Sequence, residues 1–288
     1  MRVIETAAGM RSARTSLPGP VGFVPTMGAL HDGHASLVRR ARAETASVVT
    51  SLFVNPTQFG PGEDFAGYPR DRQKDLVVFE QSGADVVFIP AIDEIYPPGG
   101  TTFVDPGPIG DVLEGKYRPG HFRGVATVVA KLFAIVRPDV AYFGEKDAQQ
   151  LRVIRRINHD LRFGIQIAGV PTVRARDGLA LSSRNSYLNT EERRQASIIY
   201  DALHASQERW RNGEGNAAAL KAVISETIGR APLVSLEYVS VADGETLEEL
   251  KVIDRPALVS LAARVGKARL IDNMALPPGL SPAGTGRG

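Results

Sequence analysis

Short apolar runs alternate with amphipathic stretches along the first 170 residues of the chain. Runs at 21–25, 48–54, 86–89, 140–143 and 165–170 are rich in β-branched residues and have the length of buried strands. The stretches 34–44, 70–82, 122–136 and 147–161 between them read as helices. In the third of these, Val125, Val128, Val129, Leu132, Phe133 and Val136 fall on one helical face, and Pro138 ends the pattern. Strands alternating with helices predict an α/β fold: a Rossmann-like parallel sheet with helices on both faces. Near residue 175 the texture changes. Two helical stretches, 190–212 and 217–230, precede three alternating ones, 234–241, 257–264 and 269–275. That order predicts a smaller C-terminal α+β domain, with domains at 1–174 and 175–288. The Gly- and Pro-rich tail after residue 276 reads as disordered. Two loops, 55–69 and 96–121, are long and carry aromatics, which marks them as functional rather than slack.

Composition narrows the function classes. Basic and acidic residues number 34 and 32, so bulk charge argues for neither nucleic acid nor a membrane surface. Cysteine is absent, which removes disulfides, thiolate metal sites and a cysteine nucleophile. The start lacks a signal-peptide core, and no stretch reaches the roughly 18 apolar residues of a membrane span. The expectation is a cytoplasmic protein acting on small molecules.

The chemistry-bearing motifs sit at the exits of predicted strands, where open parallel sheets bind ligands. The first is Pro25-Thr26-Met27-Gly28-Ala29-Leu30-His31-Asp32-Gly33-His34, between a strand and a helix. A helix N-terminus offers unpaired N–H groups to phosphate. His31 and His34, three apart, suit donors to a polyphosphate. An isolated H-x-x-H more often caps a helix; the strand and the Gly-rich turn before it shift the reading to function. A zinc pair is the weaker rival, for lack of a third ligand. Asn55 and Gln58, in LFVNPTQF, place amides at the next strand's exit. Gly144-Glu145-Lys146-Asp147 with Gln150 repeats the arrangement, with Lys146 as a phosphate charge and Asp147 as a helix cap or ribose contact. Leu181-Ser182-Ser183-Arg184 adds hydroxyls and a guanidinium fork, and Arg118 and His121 a cation and an imidazole. Walker, dinucleotide-binding and serine-elbow signatures are absent from the sequence.

PTMGALHDGH, FVNPTQF, HFRGV, FGEKD and LSSRN, in this order and spacing, resemble the pantothenate synthetases, from about Val21 to Asn273. The H-x-G-H turn alone is shared with the wider nucleotidyltransferase superfamily. The resemblance implies that ATP, with Mg²⁺, activates pantoate as an acyl adenylate, which β-alanine then attacks to give pantothenate and AMP. It implies ATP contacts from Met27, Gly28, Ala29, Leu30, His31, Asp32, Gly33, His34, Gly144, Glu145, Lys146, Asp147, Val173, Leu181, Ser182, Ser183 and Arg184. Catalytic charge stabilisation falls to His31, His34, Lys146 and Arg184, with His34 at the position assigned as proton donor. Gln58 and Gln150 are implied to hold pantoate; Asn55, Arg118 and His121 are further substrate-site candidates. The resemblance also implies a homodimer whose smaller domain covers the site. Three positions depart from the family pattern: Leu181 for a frequent Met, Ala148 for an aromatic, and Lys74-Asp75 for two adjacent acids. The last leaves no protein ligand assigned to Mg²⁺. The competing readings are an adenylyltransferase for another acceptor and a non-catalytic nucleotide-binding protein.

Overall fold

A computed structural model describes residues 1–60 and 65–277 of the chain, which divides into two units, Met1–Val173 and Arg174–Gly288. In the first, the elements run β1 (Arg2–Ile4), α1 (Ala7–Ser16), β2 (Val21–Thr26), α2 (Asp32–Glu44), β3 (Ser47–Leu52), α3 (Arg72–Ser82) and β4 (Val86–Phe88). Next come α4 (Ile92–Ile95), α5 (Glu114–Tyr117), α6 (His121–Val136), β5 (Val140–Gly144), α7 (Ala148–Asp160) and β6 (Gln166–Val170). The six strands form one parallel sheet in the order β1-β4-β3-β2-β5-β6.

That order fixes where the helices lie. From β2 the chain steps to β3 and then β4 in one direction, whereas β5 returns to the other side of β2 and β6 continues outward. Right-handed crossovers therefore put α2 and α3 on one face and α7 on the other. Side-chain alternation along β5 agrees. Tyr142 packs in a core with Val38 and Ala41 of α2 and Phe79 of α3. Its neighbour Phe143 meets Phe133 of α6 edge-on, ring centroids 6.4 Å apart. The reversal of strand order falls between β2 and β5, the switch point at which ligands bind in such sheets.

The second unit holds α8 (Thr190–Gln195), α9 (Ile198–Arg211), α10 (Ala217–Ile228) and the antiparallel meander β7 (Val234–Asp243), β8 (Ala257–Val265) and β9 (Ala268–Leu276). Leu203, Leu220 and Ile224 of the helices share a core with Val241, Val259 and Leu261 of the strands.

The sequence pattern misses four details. The single helix expected over 190–212 is two, because Ile199 and Tyr200 donate to Ala196 and Ser197 three residues back, a tightened turn that periodicity does not register. The strand expected over 48–54 ends at Leu52. Strand β1 spans only three residues and is too short to show alternation. Helix α1 follows it, capped by the Thr6 hydroxyl, which accepts from Gly9 N–H at 3.1 Å. The long loop 96–121 holds α4's exit, a short 3₁₀ turn and α5. Part of the other long loop, 61–64, and the tail read as disordered, from residue 278 on, lie outside the described residues. Among the described residues no helix is long and apolar enough to cross a membrane.

Candidate active site

The turn after β2 is built on backbone that side chains resist. Gly28 has φ +90° and Ala29 φ +53°. A Cβ on Gly28 would stand 2.8 Å from Asp75 Oδ2 and 2.8 Å from Leu52 Cδ1, so only glycine fits. Asp75, on α3 and 2% exposed, holds the turn from below. Its two carboxylate oxygens accept from Ala29 N–H at 3.1 Å and Leu30 N–H at 2.9 Å. Burial raises the Asp75 pKa, and those two bonds oppose the rise. Nothing in the sequence marks Asp75 for this part, since it lies 46 residues beyond Ala29.

His31 and His34 do cap α2, as the bland reading expects. His31 Nδ1 accepts from Gly33 N–H at 3.1 Å, and His34 Nδ1 from His31 N–H at 3.4 Å. The caps also fix the rings. An Nδ1 that accepts carries no proton, so each neutral ring bears its hydrogen on Nε2 and presents a fixed donor. The rings lie 4.2 Å apart. Burial, then the neighbouring His31, pushes the His34 pKa down to about 3; burial and Lys146 lower His31. His34 is therefore a neutral hydrogen-bond donor at neutral pH, not a stored proton.

Lys146 lies near enough to both imidazoles to depress their protonation, so the first and third motifs converge across β2 and β5. It pairs with Asp147 at 3.5 Å. Asp147 precedes α7, and its side chain makes no cap bond there. The adjacent amides Gln149 and Gln150 divide. Gln149 is buried and secures the second long loop: its Nε2 donates to the Ile109 and Val112 carbonyls at 2.9 and 2.8 Å, and its Oε1 accepts from Glu114 N–H at 3.0 Å. Gln150 is only half-buried, on the first turn of α7 beside the switch point.

The β3 exit is a dense polar knot. Asn55, 1% exposed, has both ends of its amide engaged within the protein. Arg118 and His121 converge on one atom, the Gln58 carbonyl, at 3.3 Å from the guanidinium and 2.8 Å from Nδ1. Gly124 makes this possible, because a Cβ there would stand 2.3 Å from the Thr57 carbonyl. The loop-55 and loop-121 motifs are thus one structure.

Leu181, Ser182, Ser183 and Arg184 belong to the second unit, and Val173 ends the first. Their segment follows a turn closed by the Arg174–Ala180 bridge. Arg174 forks onto the buried Asp272 of β9 at 2.5 and 3.0 Å, and also bonds the Gly178 carbonyl. Ser182 Oγ accepts from Arg184 N–H at 3.2 Å, and the Arg184 side chain lies on an exposed residue.

A family model described as pantoate-beta-alanine ligase matches residues 2–275. The chain belongs to this family. Among the ligases it resembles is the pantothenate synthetase of Roseiflexus sp. (strain RS-1), 57% identical over 276 residues, covering 96% of this chain and 99% of that one. A crystal structure of pantothenate synthetase from Thermus thermophilus has a TM-score of 0.91 at 48% identity, covering 96% of this chain and 100% of that one. The pantoate-beta-alanine ligase from Francisella tularensis, described as complexed with beta-gamma ATP and beta-alanine, has a TM-score of 0.78 at 37% identity, covering 95% and 97%. The activity of the chain is pantoate–β-alanine ligation, with small-molecule substrates. An adenylyltransferase for another acceptor is not favoured, because family and relatives alike name the ligase.

Proposed function

We propose that the ligation runs through pantoyl adenylate, with the residues around the β2–β5 switch point handling the polyphosphate. The observation that carries this reading is the convergence of two neutral imidazoles and Lys146 there. In the first step a pantoate carboxylate oxygen bonds the α-phosphorus of ATP, the bond from that phosphorus to the bridging oxygen breaks, and pyrophosphate leaves. In the second, the β-alanine amine attacks the acyl carbon, the C–O bond to AMP breaks, and the amine proton passes to solvent or phosphate. Like charges about 4 Å apart repel by several kcal/mol in a protein cleft, so cations and donors must precede the substrate carboxylate. His31 and His34 supply donors, and Lys146 and Arg184 supply charge. The remaining residues of segments 27–34 and 144–147, with Val173 and Leu181–Ser183, contact the nucleotide. Gln58 and Gln150 hold pantoate, with Asn55, Arg118 and His121 behind Gln58. No covalent enzyme intermediate is needed, in keeping with a chain without cysteine.

Among the described residues no group of three or more acidic or histidine side chains is arranged to hold a metal, and Asp75 is already bonded to backbone. In this reading Mg²⁺ arrives on ATP, held chiefly by phosphate oxygens and water. The second unit serves as the smaller covering domain, and the chain works as a cytoplasmic homodimer; both readings rest on the family pattern.

The test is AMP release measured with each reactant withheld in turn. The proposal expects AMP only when ATP, pantoate and β-alanine are all present; equal release without β-alanine overturns it. Arg184→Lys should raise the ATP KM and lower kcat, because a point charge does not replace a fork. Unchanged constants would reduce Arg184 to a linker residue.

A further inference from the structure

Gln58 is held by more than its own strand exit. Its side-chain Oε1 accepts from Asn55 Nδ2 at 3.1 Å, and its Nε2 lies 3.0 Å from Met27 Sδ, a weak acceptor that a substrate oxygen outcompetes. Which way the Gln58 amide points therefore depends on which way Asn55 points. Two backbone groups decide that. Asn55 Oδ1 accepts from Thr57 N–H at 3.3 Å, and Nδ2 donates to the Gly124 carbonyl at 3.2 Å. Main-chain donors and acceptors do not exchange roles, so these bonds select which end of the Asn55 amide is which. Both are long, and they leave the aim of the amide to its shorter side-chain partner.

The last member of this array is Tyr96, at the end of α4, which no part of the ligase reading uses. Its hydroxyl donates to Asn55 Oδ1 at 2.8 Å and lies 2.9 Å from the Thr57 hydroxyl. Its ring is set by Lys131, whose Nζ stands 5.1 Å from the ring centroid and donates to the Ile95 carbonyl at 2.9 Å. Tyr96 is thus placed by α6 and acts on a loop 41 residues earlier in the chain. We propose that Tyr96 is a positioning residue for the acid substrate: through Asn55 it fixes the Gln58 carboxamide with Oε1 turned inward and NH₂ turned to the pantoate oxygens. This rests on the assignment of Gln58 to pantoate.

The experiment is steady-state kinetics on Tyr96→Phe, Gln58→Ala and the double variant, with thermal melting of each. Removing one hydroxyl from an array of neutral hydrogen bonds should raise the pantoate KM by about 5–10-fold. The ATP KM and kcat should stay within about two-fold, since the Tyr96 hydroxyl bonds Asn55 and Thr57 and none of the residues assigned to ATP. Gln58→Ala should raise the same KM further, and adding Tyr96→Phe to it should change nothing more. A pantoate KM unmoved by Tyr96→Phe while Gln58→Ala raises it overturns the relay and spares the Gln58 assignment. An equal further rise in the double variant also overturns the relay. A pantoate KM unmoved by Gln58→Ala overturns both. Should Tyr96→Phe not fold, Lys131→Met tests the same link by releasing the Tyr96 ring: the pantoate KM must rise while the ATP KM holds, and an unmoved pantoate KM overturns the relay.

Discussion

Replacing His34 with alanine should slow pantoyl-adenylate formation by about 10²–10³-fold, the scale of one preorganised donor lost from a charge-developing site. The fold should survive, because the cap that His34 adds to α2 is a single long bond of 3.4 Å, while His31 keeps its own at 3.1 Å. Single-turnover pyrophosphate release reads the chemical step directly. A rate near wild type would remove His34 from the mechanism. The protonation of His34 supplies an independent check. With its pKa pushed to about 3, the ring should keep a neutral, Nε2-protonated ¹⁵N signature from pH 8 to pH 5 in the nucleotide-free protein. An unfolded histidine titrates near 6.5, so between that value and about 3 the unfolded chain binds a proton that the native chain refuses. His34 thus lowers native stability as pH falls through this window. His34→Ala should flatten that part of the stability profile, and a steeper profile would contradict the assigned burial.

The strand exits were legible because parallel strands are continuous apolar runs, and their order along the chain places the motifs without knowledge of the sheet. Neighbouring β3, β2 and β5 bring 55–58, 27–34 and 144–147 to the same sheet edge. Residue types also fixed the candidates: imidazole, ammonium and amide at a carboxyl-terminal edge have few other uses. Support residues were not legible. Asp75, Gln149 and Tyr96 are ordinary letters in helices or loops, and each acts on a segment 35 to 46 residues away. Local pattern carries no information about such pairs, since the partner is set by how α3, α7 and α4 pack. Asn55 shows a subtler limit. Its place at a strand exit marks it as a substrate-site candidate, but its burial and its bonds to Gln58 and Tyr96 depend on packing that the sequence does not show. The histidines mark a third case: each Nδ1 accepts a backbone N–H in capping α2, which leaves Nε2 outside the cap, so the capping reading and the binding reading do not compete for the same nitrogen.

Asp75→Asn is the substitution by which the nucleotide turn stands or falls. Each carboxylate oxygen takes one backbone N–H, Oδ2 from Ala29 and Oδ1 from Leu30. An asparagine keeps one acceptor, and its NH₂ must then confront the other N–H, donor against donor. Leaving a buried amide unsatisfied costs about 1–3 kcal/mol, so the melting temperature should fall by roughly 2–10 °C. Relief of the buried charge works in the opposite direction. Because burial raises the Asp75 pKa, the native carboxyl holds its proton to higher pH than the unfolded one, and stability declines as pH rises through the folded value. The asparagine variant lacks that decline, so its deficit should be largest near the bottom of the window and shrink as pH increases through it. Function should suffer as well. Ala29 sits at positive φ only while something over-determines it, and the Asp75 bonds to Ala29 and Leu30 are what the structure provides. With one bond gone, the turn relaxes and the His31–His34 helix start loses its register against Lys146. The ATP KM should rise at least about ten-fold, equivalent to 1.4 kcal/mol of lost preorganisation. A variant with wild-type ATP binding but a lowered melting temperature would make Asp75 a packing residue alone and assign the shape of the turn to Gly28 and its backbone.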